Sequence, residues 1–254
     1  MIIFWHVWDP DLAAAMTGKK LKKFANKYFQ ADKMLVLHSK ARQDLERWGY
    51  CGRTAIATTC FEKCFDNLAY DKKFALPGKV LFMARLEKSK GIMTALAIAE
   101  TVAQKSRDPI EFIIAGDGSA MPEAQEYVRL HKLDNVKFTG FVQGSSKLDI
   151  LQYSHLFLQC SSHEGMPCSL LEAMACSLPT VTSAVGGIPD FFENGKMGFM
   201  LETMEPTAYA EKIIELLDSP EKLQRMGNYN YNYAREHFTA RQAALRQYAE
   251  ISIV

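Results

Sequence analysis

No stretch of this 254-residue chain reaches the ~18 consecutive apolar residues that a membrane-spanning helix needs. Its opening, MIIFWHVWDPDLAAAM, lacks a basic stretch ahead of an apolar run and carries Asp9 and Asp11 early, so no secretion signal is expected. Neither sign of charge prevails. Thirty Lys and Arg face 29 Asp and Glu, and a formal charge of +1 gives no global reason to expect a nucleic-acid partner. Fifteen glycines and nine prolines are too few for a collagen-like or low-complexity chain. The six cysteines (51, 60, 64, 160, 168 and 176) contain no C-x-x-C pair. They read as reduced thiols of a cytoplasmic protein rather than a disulfide framework or a metal site. Several catalytic signatures are also missing. There is no G-x-x-x-x-G-K-[ST] phosphate loop, no H-E-x-x-H and no G-x-S-x-G.

What is present is alternation. KVLFMAR (79–85), EFIIAG (111–116), VKFTGF (136–141), HLFLQCS (155–161) and PTVTSAV (179–185) are short apolar runs that predict strands. Between them, residues 91–105, 121–133, 145–154 and 167–177 carry apolar residues at helical spacing. The tail from Pro206 onward reads as almost wholly helical. Strands that alternate with helices across short turns predict an α/β fold. Its sheet is parallel, covered on both faces and doubly wound in the Rossmann-like manner.

That unit occupies residues 79–238. Residues 1–78 differ in composition. Their first fifty hold nine Lys or Arg against five Asp or Glu, and all three tryptophans (Trp5, Trp8 and Trp48). They predict a strand (Ile2–Val7), a basic helix near 18–30, a strand at 34–39, a helix at 40–48 and an irregular connector. This is about half of a second α/β domain, with two strands. A final helix in 239–254 is expected to return toward it. The aromatic cluster Phe4, Trp5, Trp8 and Trp48 suggests apolar surface made for a partner, hence self-association through residues 1–50. The lysine-rich helix Lys19–Lys27 suits either a solvated face or peripheral contact with the inner face of a membrane.

In open α/β sheets ligands bind beyond the carboxyl ends of the strands. Arg85 and Lys90 follow the first strand of the large unit, and two cations five residues apart suit a diphosphate. Gly116-Asp-Gly118 follows the second strand. It is not a dinucleotide fingerprint, which needs a third glycine and opens the first strand. Glu164 lies in the loop after the fourth strand, and Glu172 lies on the helix that begins near Pro167. Paired carboxylates of this kind accept hydrogen bonds from the vicinal hydroxyls of a sugar or a ribose. Gly186-Gly187-Ile-Pro-Asp190 follows the fifth strand.

Arg85-Leu-x3-Lys90-Gly91, Ile-Ala-Gly116-Asp-Gly118, Phe138-x-Gly140, Glu164-Gly165-x-Pro167-x4-Glu172-Ala-Met-Ala and Gly186-Gly187-Ile-Pro-Asp190 stand in this order. The set resembles the donor-binding half of the retaining family 4 glycosyltransferases, whose fold is the two-domain GT-B type. The resemblance covers about residues 30–250, and its first domain is expected to be truncated. It implies transfer of a hexose-type sugar from a nucleotide-diphosphate sugar to a saccharide or lipid-linked acceptor, with retention at the anomeric carbon. It further implies that Arg85 and Lys90 hold the diphosphate, that Glu164 contacts the transferred sugar and that Glu172 contacts the ribose. Gly165, Met166, Pro167, Cys168 and Ser169 would surround sugar and phosphate with backbone N–H groups, Phe141 and Val142 would border the base, and Gly116 and Gly118 would shape the site. No metal and no cofactor beyond the nucleotide sugar is implied. The family has Gly before the strand-end Arg, where this chain has Ala84. Two alternatives stand beside the enzyme: a non-catalytic nucleotide-sugar-binding half that needs a partner chain, and a nucleotide-sugar epimerase drawing catalytic groups from outside this chain.

Overall fold

The computed structural model describes residues 1–5, 13–66, 68 and 78–252. Trp8, the end of the expected first strand at 6–7, and Pro77 lie outside the described residues. Two parallel sheets are present. The first contains β1 (Ile2–Trp5), β2 (Lys33–Val36) and β3 (Arg53–Ile56) in that order. Helix α1 (Gly18–Tyr28) connects β1 to β2, and α2 (Ser39–Arg47) connects β2 to β3.

The second sheet has six strands: β4 (Gly78–Met83), β5 (Ile110–Ala115), β6 (Val136–Gly140), β7 (Leu156–Gln159), β8 (Thr180–Ser183) and β9 (Gly198–Leu201). Their spatial order is β6-β5-β4-β7-β8-β9, and every pair is parallel. The intervening helices are α3 (Ile92–Lys105), α4 (Met121–His131), α5 (Gly144–Tyr153) and α6 (Cys168–Ala175). Helices α7 (Pro206–Leu217), α8 (Pro220–His237) and α9 (Ala240–Ser252) complete the chain. The chain builds outward from β4 to β6, then α5 carries it back across to β7, beside β4. The order therefore reverses between β4 and β7, and a crevice opens beyond the carboxyl ends of those two strands.

The alternation of a strand explains why this sheet needs helices on both faces. Val80 and Phe82 of β4, Phe112 and Ile114 of β5, and Leu156 and Leu158 of β7 enter one core, which α3 covers with Ile92, Leu96 and Ala99. Leu81, Met83, Ile113 and Phe157 enter the opposite core, closed by Leu170, Leu171 and Met174 of α6. Each strand residue removed from water on both sides contributes to burial, at about 25 cal/mol per Å² of apolar surface. That is why these segments read as unbroken apolar runs.

Three expectations need correction. The first segment has three strands rather than two, because Arg53-Thr-Ala-Ile adds a short edge strand where a connector was expected. Strand β9 was likewise unforeseen. Strand β4 ends at Met83, so Arg85 stands two residues past it, in an exposed loop. Part of the aromatic cluster packs within the chain. Phe24 of α1 lies 5.6 Å from Trp5 and 5.7 Å from Trp48, ring centroid to centroid, so the chain's own helix covers much of it.

The two sheets meet at several points. The Ser39 N–H donates to Asp190 at 2.7 Å, the Phe61 N–H donates to the Phe238 carbonyl at 3.1 Å, and Arg246 donates to the Thr58 hydroxyl at 2.9 Å. The Lys33 ammonium, almost fully buried, donates to both the carboxylate and the backbone carbonyl of Glu250 on α9.

Candidate active site at the sheet switch point

A cleft of about 470 Å³ lies at this crevice, lined from every direction by strand-end loops. From β4 come Met83, Ala84, Arg85 and Lys90; from β5, Ala115, Gly116 and Asp117. Phe141, Val142 and Gln143 follow β6, and Glu164 to Ser169 without Gly165 follow β7, with Glu172 behind them on α6. Of the residues expected at the site, Gly118 and Gly165 are the two outside this lining.

Local geometry explains the glycines. A Cβ on Gly116 would lie 1.9 Å from the Ala84 carbonyl oxygen, and one on Gly118 would lie 2.5 Å from that of Leu86. The loop after β5 thus rests directly on the backbone of the loop after β4. Ser119 reinforces the contact by donating its hydroxyl at 2.5 Å and its N–H at 3.2 Å to the Glu87 carboxylate. Gly118 therefore supports the Arg85 loop from below. Gly165 has a similar place, with its carbonyl accepting from the Gly187 N–H at 2.7 Å and Leu37 packed against it.

Lys90 closes a single 3-10 turn (Lys88–Lys90), and Gly91 then takes φ 81°, a left-handed conformation that suits glycine. The Ser162 N–H donates to the Ser89 carbonyl at 2.9 Å, which ties this turn to the end of β7. Lys90 Nζ lies 2.8 Å from Glu164 Oε2, and Gln159 Nε2 donates to Glu164 Oε1 at 3.1 Å. Both oxygens of Glu164 are thus engaged. Helix α6 begins at Cys168; the Leu170 and Leu171 N–H groups donate back to the Pro167 carbonyl at 3.2 and 3.4 Å, and helix geometry leaves those of Cys168 and Ser169, ahead of these bonds, to an acceptor at the cleft.

A second ion pair lies deeper. Lys147 Nζ on α5 is 2.9 Å from Glu172 Oε1 and 2.6 Å from Glu62 Oε1. The side chains of Lys147 and Glu172 are 11% and 6% exposed, whereas that of Glu62 is 59% exposed. Burial raises the pKa of Glu172 above the ordinary carboxylate value, with Lys147 opposing the rise. Burial also works against the Lys147 charge, but Glu62 and Glu172 outweigh it and its pKa ends above the ordinary lysine value. The hydrogen bond from Lys147 lowers the pKa of Glu62. Among the described residues Arg85 makes no ion pair, so it is the cation at the cleft open to an incoming anion. Phe141 is 72% exposed at the rim, a bare ring suited to stacking.

Sequence reasoning missed Lys147, Glu62 and Gln159. The available signal for Lys147 was its position four residues before Leu151, on the buried face of α5. A lysine at an inward helical position calls for a counter-charge.

The doubly wound sheet, with a cationic, carboxylate-lined cleft at its switch point and a smaller parallel sheet packed alongside, makes this an α/β protein whose candidate site lies where open α/β sheets hold ligands. Residues 69–233 match the family described as glycosyl transferases group 1, and the chain belongs to that family. Spore coat protein SA of Bacillus subtilis is 34% identical over 177 residues, which are 65% of this chain and 47% of that protein. The 2-deoxystreptamine N-acetyl-D-glucosaminyltransferase of Niallia circulans is 30% identical over 222 residues, 84% of this chain and 55% of the relative. The chain thus spans about half the length of the curated relatives it matches. Among solved structures, Anabaena Alr3699/HepE in complex with UDP and glucose superposes with a TM-score of 0.80 at 18% identity. The match covers 99% of this chain and 71% of that one. A TarM variant of S. aureus gives 0.79 at 21% identity, over 91% of this chain and 46% of that one. At these identities the likeness is one of fold, and that fold is GT-B.

Proposed function

We propose that residues 79–238 bind a nucleotide-diphosphate sugar and that the chain serves transfer of a hexose-type unit to a saccharide or lipid-linked acceptor, with retention. The observation that carries this reading is the cleft itself. It places Arg85, the Lys90–Glu164 pair and the first turn of α6 around one space, with the Lys147–Glu172 pair at its deeper end. A diphosphate entering there meets Arg85 directly and draws Lys90 away from Glu164. The released carboxylate then faces the transferred sugar, while Glu172 accepts from the ribose hydroxyls. The UDP and glucose in complex with the Anabaena protein support a hexose donor of this kind.

In this reading the leaving diphosphate itself takes the acceptor proton on the face from which it departs. The protein orients donor and acceptor and stabilises leaving-group charge through Arg85, Lys90 and the α6 N–H groups. Cationic side chains fill the place that a metal takes elsewhere, so transfer proceeds without one. Helix α1, with five lysines and no Asp or Glu, is the surface we assign to a membrane-borne acceptor at the cytoplasmic face.

Titration calorimetry with UDP-, GDP- and ADP-sugars at millimolar concentration tests the reading. Heat from at least one donor class is expected, and silence from all three overturns it. Binding without transfer to any acceptor would instead establish the second reading, a nucleotide-sugar-binding half that a partner chain completes.

A further inference from the structure

Two lysine–carboxylate pairs line the cleft, and they are not equivalent. In the Lys90–Glu164 pair the second carboxylate oxygen is taken up by Gln159. In the Lys147–Glu172 pair, Oε1 of Glu172 accepts from the ammonium, while Oε2 has no partner among the described residues. Lys147 is itself held on three sides: by Glu172, by Glu62 at 2.6 Å and by the Phe65 ring, whose centroid is 5.4 Å from Nζ. Glu62 owes its position to Phe61 and Phe65, each 1% exposed, which anchor its segment in the core. The ammonium is therefore fixed, and it fixes the carboxylate.

We propose that Lys147 is a positioning residue that makes the cleft selective for ribonucleotides, by holding Glu172 ionised with Oε2 presented to the ribose 2′ and 3′ hydroxyls. This rests on the functional reading above, in which the ligand is a nucleotide sugar and Glu172 faces its ribose. A carboxylate as buried as Glu172 gains a proton unless a cation compensates, and a protonated carboxyl is a poorer acceptor. Among the described residues, the charged or titratable groups facing Glu172 are Lys147 from α5, Glu62 from the connecting segment and Cys168 from the start of α6. Lys147 is the one cation among them. Glu62 adds a negative charge on its far side, which keeps the ammonium protonated.

The experiment compares UDP, GDP and ADP with their 2′-deoxy analogues by calorimetry, using the whole chain. Each ribo and deoxy pair carries the same diphosphate, so the contributions of Arg85 and Lys90 cancel. Wild type is expected to bind the ribonucleotide at least about tenfold more tightly, the scale of one hydrogen bond to a charged group. In Lys147→Met the ribose preference is lost: ribonucleotide binding falls to the level of the variant's deoxy binding, and deoxy binding, which keeps the 3′ hydroxyl alone, weakens by less. The lost preference returns as pH is raised toward 9, because the uncompensated Glu172 then ionises. Lys147→Arg retains the preference near pH 7, and Lys147→Gln replaces the methionine variant if that one shows no cooperative melt. Preference for ribose in the methionine variant equal to wild type, with the same pH profile, overturns the role of Lys147 and leaves the nucleotide site standing. Absence of binding by wild type to all six nucleotides overturns the nucleotide reading and this inference together.

Discussion

Gly91 offers a sharp test of how the site is held. It stands between Lys90 and α3 at φ 81°, and its carbonyl accepts from the Ala95 N–H at 2.8 Å and from the Cys160 thiol at 3.2 Å. A Cβ there would lie 1.9 Å from the Cys160 carbonyl oxygen and 2.7 Å from its carbon. Both obstacles are backbone at the end of β7, so no rotamer change relieves them. Gly91→Ala should therefore carry two costs. The left-handed conformation costs an L-residue about 1–2 kcal/mol, and forcing β7 away from the Lys90 turn costs about 1–3 kcal/mol as overpacking. A combined loss of about 3 kcal/mol corresponds to a melting temperature lower by roughly 6–12 °C in a protein of this size. Gly49→Ala is the control, since Gly49 has φ 91° but open space around its would-be Cβ. It should show the conformational cost alone. Because Lys90 is the neighbour of Gly91, the alanine variant should also bind a donor such as UDP-glucose more weakly, while Gly49→Ala leaves binding unchanged. Calorimetric melts and titrations of the two variants decide the matter. If Gly91→Ala melts no lower than Gly49→Ala, the contact between this turn and β7 is not what shapes the site.

Other outcomes follow from the same geometry. Arg85→Ala and Lys90→Ala are each expected to lower turnover about 10²-fold or more with a small effect on melting, as loss of one charge stabiliser at the leaving group does; wild-type turnover in either variant removes the diphosphate assignment. Transfer should survive EDTA, and activity abolished by chelation and restored by Mg2+ would mean that cationic side chains do not replace a metal here. Burial depresses the pKa of His38, against the pull of Asp190 and Asp44. The unfolded chain, with an ordinary value of about 6.5, then binds the proton first. Stability should be full well above that value and decline as pH falls through about 6.5 toward the lower value of the folded state. His38 caps α2 by accepting from the Ala41 N–H, a task asparagine also performs. An undiminished pH slope in His38→Asn denaturation curves would refute this attribution.

How much of this could be read from the sequence depended on whether the deciding interaction was local. Strands β4, β5 and β7 were legible because both faces are buried and the apolar runs are continuous. Strands β3 and β9 escaped because each is four residues long, lies at a sheet edge and is only partly buried, so neither alternation nor a long apolar run marks it. At the site, Arg85, Lys90, Glu164 and Glu172 could be found from the rule that ligands sit at strand ends. The Glu62–Lys147–Glu172 chain could not, since its members are 85 and 25 residues apart and only packing joins them. Gly118 shows the converse. Its place in a motif suggested the lining, whereas its near contact with the Leu86 backbone makes it a support.

The bond between Lys33 and Glu250 bears on the order in which the molecule assembles. Lys33 begins the central strand of the first sheet, yet the group that satisfies its buried ammonium is made 217 residues later. On a ribosome adding about 5–20 residues per second, that interval is roughly 10–40 s. During it the six-stranded unit can fold around its own cores while the first sheet carries an interior cation without its counter-ion. The first sheet, made before the six-stranded unit, is thus among the last parts to reach its final state. That wait is the interval in which a holding chaperone has most to offer.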